Sequence, residues 1–341
     1  MFSHADTRRK LILPLLLFSL VLVGFGLYIF YPTTRLPALY TEGNKIMLSS
    51  THQPIILQGV TSQYFRYSDP LNVNPPTQVG LENEFKEIES LKNAGIGINL
   101  VSLYFSNAEK VKENIQYLDR YVASAQEHGL YVLFAPTGNA FQEVNAGDFL
   151  MWNKVYFKGD NPNDLSDFTE FLSARYAHYS NVLYQLTAEP NLPSPDWETK
   201  EGELAAIIRR HTDNPIILST RLYTPYSPLP VLPVKNLIYS TGGYIEKNDH
   251  STSERTMENI LGSKDLQEHY PVMVVEFGGN YGGDFSSEHD LSLFKNILDA
   301  VREAQLSYSV FMLHGGNTLS LFDRQGNLTE KGKLMIESLK Q

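Results

Sequence analysis

The sequence predicts an α/β protein: a single (β/α)8 barrel, or TIM barrel, preceded by one N-terminal transmembrane helix. Three observations carry this. Short apolar runs alternate with amphipathic helical segments from Leu39 to the C-terminus, the pattern of a parallel sheet with crossover helices. The apolar runs number eight, enough to close a barrel. Ahead of them, Leu11 to Tyr31 is a stretch of 21 residues without a charge.

That first stretch is long enough to span a bilayer, for which about 20 apolar residues are needed. Its exit end, Tyr28-Ile29-Phe30-Tyr31-Pro32, is bulky and shows no small-residue cleavage site, as a retained signal anchor would. Arg8, Arg9 and Lys10 precede it, which puts the N-terminus in the cytoplasm and the rest outside. The expected organisation is a cytoplasmic tail (1–10), a membrane span (11–31), a linker (32–39) and a barrel (40–341). Secretion after cleavage is the alternative.

Ala38–Glu42 and Ile46–Ser50 flank Gly43-Asn44-Lys45 and predict a hairpin that plugs the bottom of the barrel. Ile55–Val60 is the first barrel strand. Leu81, Phe85, Ile88 and Leu91 fall at helical spacing. Ile98–Phe105 is the second strand, Ala108–His128 one helix stopped by Gly129, and Leu130–Ala135 the third strand. Helix Leu165–His178, strand Val182–Thr187 and helix Glu201–His211 follow. Pro215–Ser219 and Asn236–Thr241 are the fifth and sixth strands; four prolines between Thr220 and Lys235 make that connection a loop. A helix at 252–263 leads into strand 271–276. Leu291, Phe294, Leu298 and Val301 mark another helix, then come strand Tyr308–Leu313 and helix Lys331–Leu339.

Composition excludes several functions. The net charge of −10 argues against a nucleic-acid partner. Removing residues 1–10 leaves 25 basic and 37 acidic groups, a net −12, which favours a neutral or cationic glycan over a polyanionic one. With no cysteine there is no disulfide, thiolate metal site or cysteine nucleophile. The nine histidines show no H-x-x-x-H or H-E-x-x-H spacing, so neither metal nor other cofactor is expected. The oligomeric state is not legible.

Two strings carry the chemistry. Tyr184-Gln185-Leu186-Thr187-Ala188-Glu189-Pro190-Asn191 and Pro271-Val272-Met273-Val274-Val275-Glu276-Phe277-Gly278 are apolar runs that each end in a glutamate followed by turn residues. Barrel strands present their C-terminal tips to the active site. Two carboxylates at such tips suit a retaining glycosidase, which needs an acid/base and a nucleophile about 5–5.5 Å apart. The 12% aromatic content (20 Tyr, 18 Phe, 2 Trp) suits a cleft that stacks on sugar rings.

From these strings and their surroundings, residues 40–341 resemble the retaining (β/α)8 glycoside hydrolases, family 5 (cellulase-like) in particular. Gly43-Asn44-Lys45 through Leu57-Gln58-Gly59-Val60 is similar to that family's opening hairpin and first strand, and Leu118–Ala135 to its second helix and third strand. Leu321-Phe322-Asp323 through Leu328-Thr329-Glu330-Lys331-Gly332-Lys333 is similar to its closing segment. The resemblance implies Glu189 as acid/base on strand four and Glu276 as nucleophile on strand seven. It also marks departures. Ala188 stands where the family has Asn, Ser102 near its strand-two Arg, Pro136 and Thr137 at its strand-three His, and Leu313-His314 near its strand-eight Trp. Gly242-Gly243-Tyr244 keeps only the Tyr of a His-x-Tyr pair, and Tyr244 is expected to hydrogen-bond Glu276. Trp197 and Trp152, in the loops after strands four and three, His314 after strand eight, and Tyr64 with Phe65 after strand one are the candidate substrate contacts. The expected function is a membrane-anchored, extracytoplasmic retaining glycosidase acting on a poly- or oligosaccharide. The alternative is an impaired barrel that binds glycan or serves as a scaffold.

Overall fold

The computed structural model describes residues 35–62, 64–65, 77–105, 108–136, 165–188, 196–218, 232–242, 245–246, 264–278, 280–281, 288–314 and 320–340. The predicted span 11–31 lies outside them, as do Glu189, Tyr244, Trp152 and the helix expected at 252–263. Among the described residues no helix is long and apolar enough to cross a membrane.

The elements in chain order are β1 (Leu39–Glu42), β2 (Lys45–Leu48), β3 (Gln58–Ser62), α1 (Gln78–Asn93), β4 (Leu100–Phe105), α2 (Ala108–Glu113), α3 (Ile115–Glu127) and β5 (Tyr131–Pro136). Then come α4 (Leu165–Arg175), β6 (Val182–Gln185), α5 (Asp196–Arg209), β7 (Ile216–Leu218), β8 (Leu237–Gly242), β9 (Ile245–Glu246) and α6 (Lys264–Gln267). The last are β10 (Val272–Phe277), β11 (Asn280–Tyr281), α7 (Glu288–Glu303), β12 (Ser307–Val310) and α8 (Glu330–Leu339). Strands β3 to β8, β10 and β12 form the closed barrel in the order β10-β12-β3-β4-β5-β6-β7-β8, with every pairing parallel. The closed barrel of eight parallel strands read from the sequence is the observed architecture.

Alternation along each strand sorts its side chains into two cores. Val101, Leu103 and Phe105 of β4, Val132 and Phe134 of β5, and Tyr308 and Val310 of β12 face outward and join Phe85, Ile88, Leu118, Phe168 and Phe294 of the helices. Leu100, Tyr131, Leu133, Leu183, Ile217, Ile238, Met273 and Val275 fill the lower lumen with Leu39 and Ile46. Those last two come from the β1–β2 hairpin, which therefore plugs the barrel bottom as expected. Ser180 Oγ donates to the Leu36 carbonyl at 2.6 Å and Tyr131 Oη to the Pro37 carbonyl at 2.8 Å. The chain thus enters the barrel at its lower end, opposite the C-terminal rim.

Several helix boundaries differ from expectation; α4 ends at Arg175 rather than His178, and α5 at Arg209 rather than His211. The single helix expected over Ala108–His128 is broken at Asn114, whose side-chain amide donates to the Lys110 carbonyl at 2.9 Å and competes with the helical ladder. The helix after strand four begins at Asp196 rather than Glu201, so the backbone of Trp197 is in the first turn of α5 and not in a loop. Gly129 stops α3 as predicted, with a φ of +70° that suits a residue without Cβ.

Candidate active site

The site is built at the upper end of β10. Val274 and Phe277 both belong to the outer core although they are three residues apart, an odd spacing that simple alternation would place on opposite faces. A register shift between Val274 and Phe277 on the β12 side, and between Val274 and Glu276 on the β8 side, resolves this. The irregularity leaves both Val275 and Glu276 free to serve the lumen, a common use of bulges beside functional sites. Glu276 is partly exposed among otherwise buried strand residues.

Tyr104, the fifth residue of β4, meets this carboxylate. Its hydroxyl donates to Glu276 Oε2 at 2.8 Å. Leu100, Ser102 and Tyr104 share the lumen face of β4, each one layer above the last. At the level of Ser102, where an arginine was expected, there is instead a hydroxyl cluster. Ser102 Oγ donates to Ser309 Oγ at 2.9 Å, and Thr61 Oγ1 lies 3.1 Å from the same Ser309 oxygen. From the next layer up, Tyr104 donates to the carboxylate as a neutral phenol.

Tyr104 is only 2% exposed and packs with Ala135 of β5 and Ala188 in one small buried cluster. The Ala188 amide donates to the Pro136 carbonyl at 2.8 Å, fixing the tip of the β6 segment against β5. A methyl side chain at 188 leaves room for the Tyr104 ring. Phe311, just beyond β12, meets that ring edge-on, with centroids 6.0 Å apart and planes at 78°.

Beside the tip of β3 stands a second polar group. Glu84 of α1 is buried, and its carboxylate accepts hydrogen bonds from Ser62 Oγ at 2.8 Å and from Tyr121 Oη of α3. Burial raises Glu84 to about 7 despite these two donors, and the neighbouring Glu87 pushes in the same direction. Ser62 Oγ also accepts from the Tyr64 amide at 3.1 Å, so the cluster secures the start of the loop after β3.

The predicted contact residues divide accordingly. Tyr64 packs against Phe65 and Tyr121, and its hydroxyl donates to the Thr77 carbonyl at the N-cap of α1, a wall and anchoring position. His314 Nδ1 lies 3.4 Å from Glu87 Oε1 on α1, which raises the imidazole's pKa. Its observed partner is therefore a helix carboxylate. Glu276 is the penultimate residue of β10. Tyr104 and Phe311 were missed: an aromatic in an apolar strand reads as core, and only its place on the lumen face marks Tyr104 out. No group of residues suited to a metal ion occurs among the described residues.

A closed parallel barrel with a carboxylate at the C-terminal end of its seventh strand is the framework of a glycoside-hydrolase barrel. The chain belongs to the cellulase family, glycosyl hydrolase family 5, which matches residues 89–317. The β-glucanase SdGluc5_26A from Saccharophagus degradans shares the fold with a TM-score of 0.64 at 16% identity, covering 91% of this chain and 96% of that one. A cellotetraose complex of an endocellulase from Pyrococcus horikoshii gives 0.66 at 17% identity, covering 91% and 100%. A cellulase–inhibitor complex gives 0.69 at 16% identity, covering 90% and 99%. No curated protein matches the chain in sequence.

Proposed function

We propose that the protein is a retaining glycoside hydrolase acting on a poly- or oligosaccharide, with Glu276 as nucleophile and Glu189 as acid/base. Family membership supports the reaction class. The observation that carries the assignment of Glu276 is its hydrogen bond from Tyr104, within a rim that also contains Ala188, the residue next to Glu189.

In the first half-reaction a Glu276 oxygen attacks the anomeric carbon. The glycosidic bond breaks, its electrons pass to the leaving oxygen, and Glu189 supplies the proton. In the second, Glu189 takes a proton from water, the water oxygen attacks the anomeric carbon, and the Glu276 ester bond breaks. The Tyr104 donor favours the ionised form of Glu276, as a nucleophile requires. It is a neutral donor, where the family resemblance implies an arginine near Ser102.

Tyr244, Trp152, Trp197, His314 and Tyr64 are retained as proposed substrate-side residues, with Tyr64 and His314 acting through the wall they brace. Residues 11–31 are proposed to anchor the protein in a membrane with the barrel outside. The β-glucanase and endocellulase among the structural neighbours make β-linked glucans the first substrates to try. The test is a panel of polysaccharides and aryl glycosides, with Glu276→Gln as the blank. Hydrolysis absent from the blank supports the reading. Tight glycan binding without hydrolysis on every substrate would replace it with a binding role.

A further inference from the structure

A lysine buried in the first turn of a helix is doubly disfavoured, because its ammonium loses water and stands at the positive end of the helix dipole. Lys331 is such a residue: it lies in the first turn of α8 and is 3% exposed. Burial pushes its pKa well down. Its side chain reaches inward to the upper ends of β10 and β12. Nζ donates to the Phe311 carbonyl at 2.8 Å and lies 4.7 Å from the centre of the Phe294 ring.

Gly278, two residues beyond Glu276, closes the other side of this cradle. A Cβ at 278 would stand 2.3 Å from the Phe311 carbonyl oxygen and 3.2 Å from Lys331 Nζ. Only glycine permits that approach of the two strand ends. The Phe311 amide donates to the Phe277 carbonyl at 2.8 Å, and the Phe311 ring meets Tyr104. The residues on both sides of Phe311 thus belong to the support of Glu276: Phe277 and Gly278 along its own strand, Tyr104 at its carboxylate.

We propose that Lys331 is a positioning residue for Glu276. By holding the Phe311 carbonyl against Gly278 it fixes the end of β10 and presses Phe311 onto Tyr104, whose phenol holds the carboxylate. A residue kept only to fill space there would be replaceable by methionine, which has similar length and no donor.

The kinetic half of the test rests on the hydrolase reading; the titration half does not. In the full-length protein, Lys331→Met is expected to lower kcat by about tenfold or more with KM changed less than about twofold, since a small misplacement of a reacting group costs rate more than binding. Glutamate carrying carbon-13 at its carboxyl reports the titration of Glu276, assigned by the resonance lost in Glu276→Gln. In Lys331→Met that titration is expected to move up by about half a pH unit or more as the donor contact loosens. Gly278→Ala, which pushes on the same cradle from the other side, is expected to move the titration in the same direction and serves if the lysine variant does not fold. An unchanged Glu276 titration in the folded variant, together with wild-type kcat, would overturn the proposal. If the wild-type protein hydrolyses no glycoside, the hydrolase reading fails and the titration alone decides the role of Lys331.

Discussion

The hydroxyl of Tyr104 on the second barrel strand donates a 2.8 Å hydrogen bond to Oε2 of Glu276 on the seventh. The two strands are not neighbours: β12 and β3 lie between them in the closed barrel. The hydrogen bond crosses the upper lumen and ties the proposed nucleophile to a ring that packs with Ala188 and meets Phe311 edge-on.

Tyr104→Phe keeps the ring and removes the donor. A hydrogen bond to a charged group is worth about 1.5–3 kcal/mol, which corresponds to a fall in kcat of roughly 10- to 100-fold. KM should change little, because the bond serves the attacking group and not the sugar. The acidic limb of the kcat/KM profile should move to higher pH, as Glu276 loses a donor that favours its anion. Steady-state kinetics on one aryl glycoside from pH 4 to 8 measures both effects.

Ala188 and Tyr104 should be energetically coupled. Ala188→Leu adds three carbons where the Tyr104 ring lies, and overpacking of this kind costs about 1–3 kcal/mol. The same substitution in a Tyr104→Ala background has space to occupy, so its cost should fall. Denaturant unfolding of the two single variants and the double variant gives the coupling. Additive costs would mean that the ring and the methyl do not share this space.

Stability should decline as pH rises toward neutrality. Glu84 is raised to about 7 in the folded protein from an ordinary 4.5, so the native state holds its proton more tightly than the unfolded chain does. The resulting stabilisation is complete below about pH 4.5 and is lost as pH passes through about 7, an effect of roughly 3 kcal/mol. His314, raised by Glu87, contributes with the same sign. The groups facing the Glu84 carboxyl are Ser62 from β3, Tyr121 from α3, Glu87 from its own helix and His314 after β12. Glu84→Gln should flatten the slope of unfolding free energy against pH between about 5 and 7. Urea melts at several pH values measure that slope.

Residues 11–31 should remain in the mature protein and hold it in the membrane fraction through alkaline extraction. Mass spectrometry of the purified N-terminus checks this directly. A mature chain starting beyond residue 30 would make the protein secreted.

The barrel was legible because its signal is redundant: eight apolar runs with helical segments between them leave few topologies. Gly129 and the Gly43-Asn44 turn were legible for local reasons, since each sits where backbone geometry favours it. Glu276 stood out as a charge ending an apolar run. Its aim did not, because the register shift in β10 arises from pairing with β8 and β12. Tyr104 resembles any core tyrosine until β4 is set in the barrel and its lumen face is known. The early start of α5 did have a local signal, Ser194-Pro195-Asp196 followed by Glu198, a capping residue, a proline and acids in the first turn. Nothing in the sequence marks Lys331 as buried; its burial follows only from where α8 docks.

The most direct measurement of the central claim is to trap the glycosyl–enzyme. A 2-deoxy-2-fluoro glycoside with a good leaving group, built on the best substrate found, slows release of the sugar ester so that it accumulates. Peptide mapping should then find one sugar per chain, on the peptide containing Glu276, and none in Glu276→Gln. A label on any other carboxylate, or turnover of the parent substrate with inversion of anomeric configuration, would contradict the account.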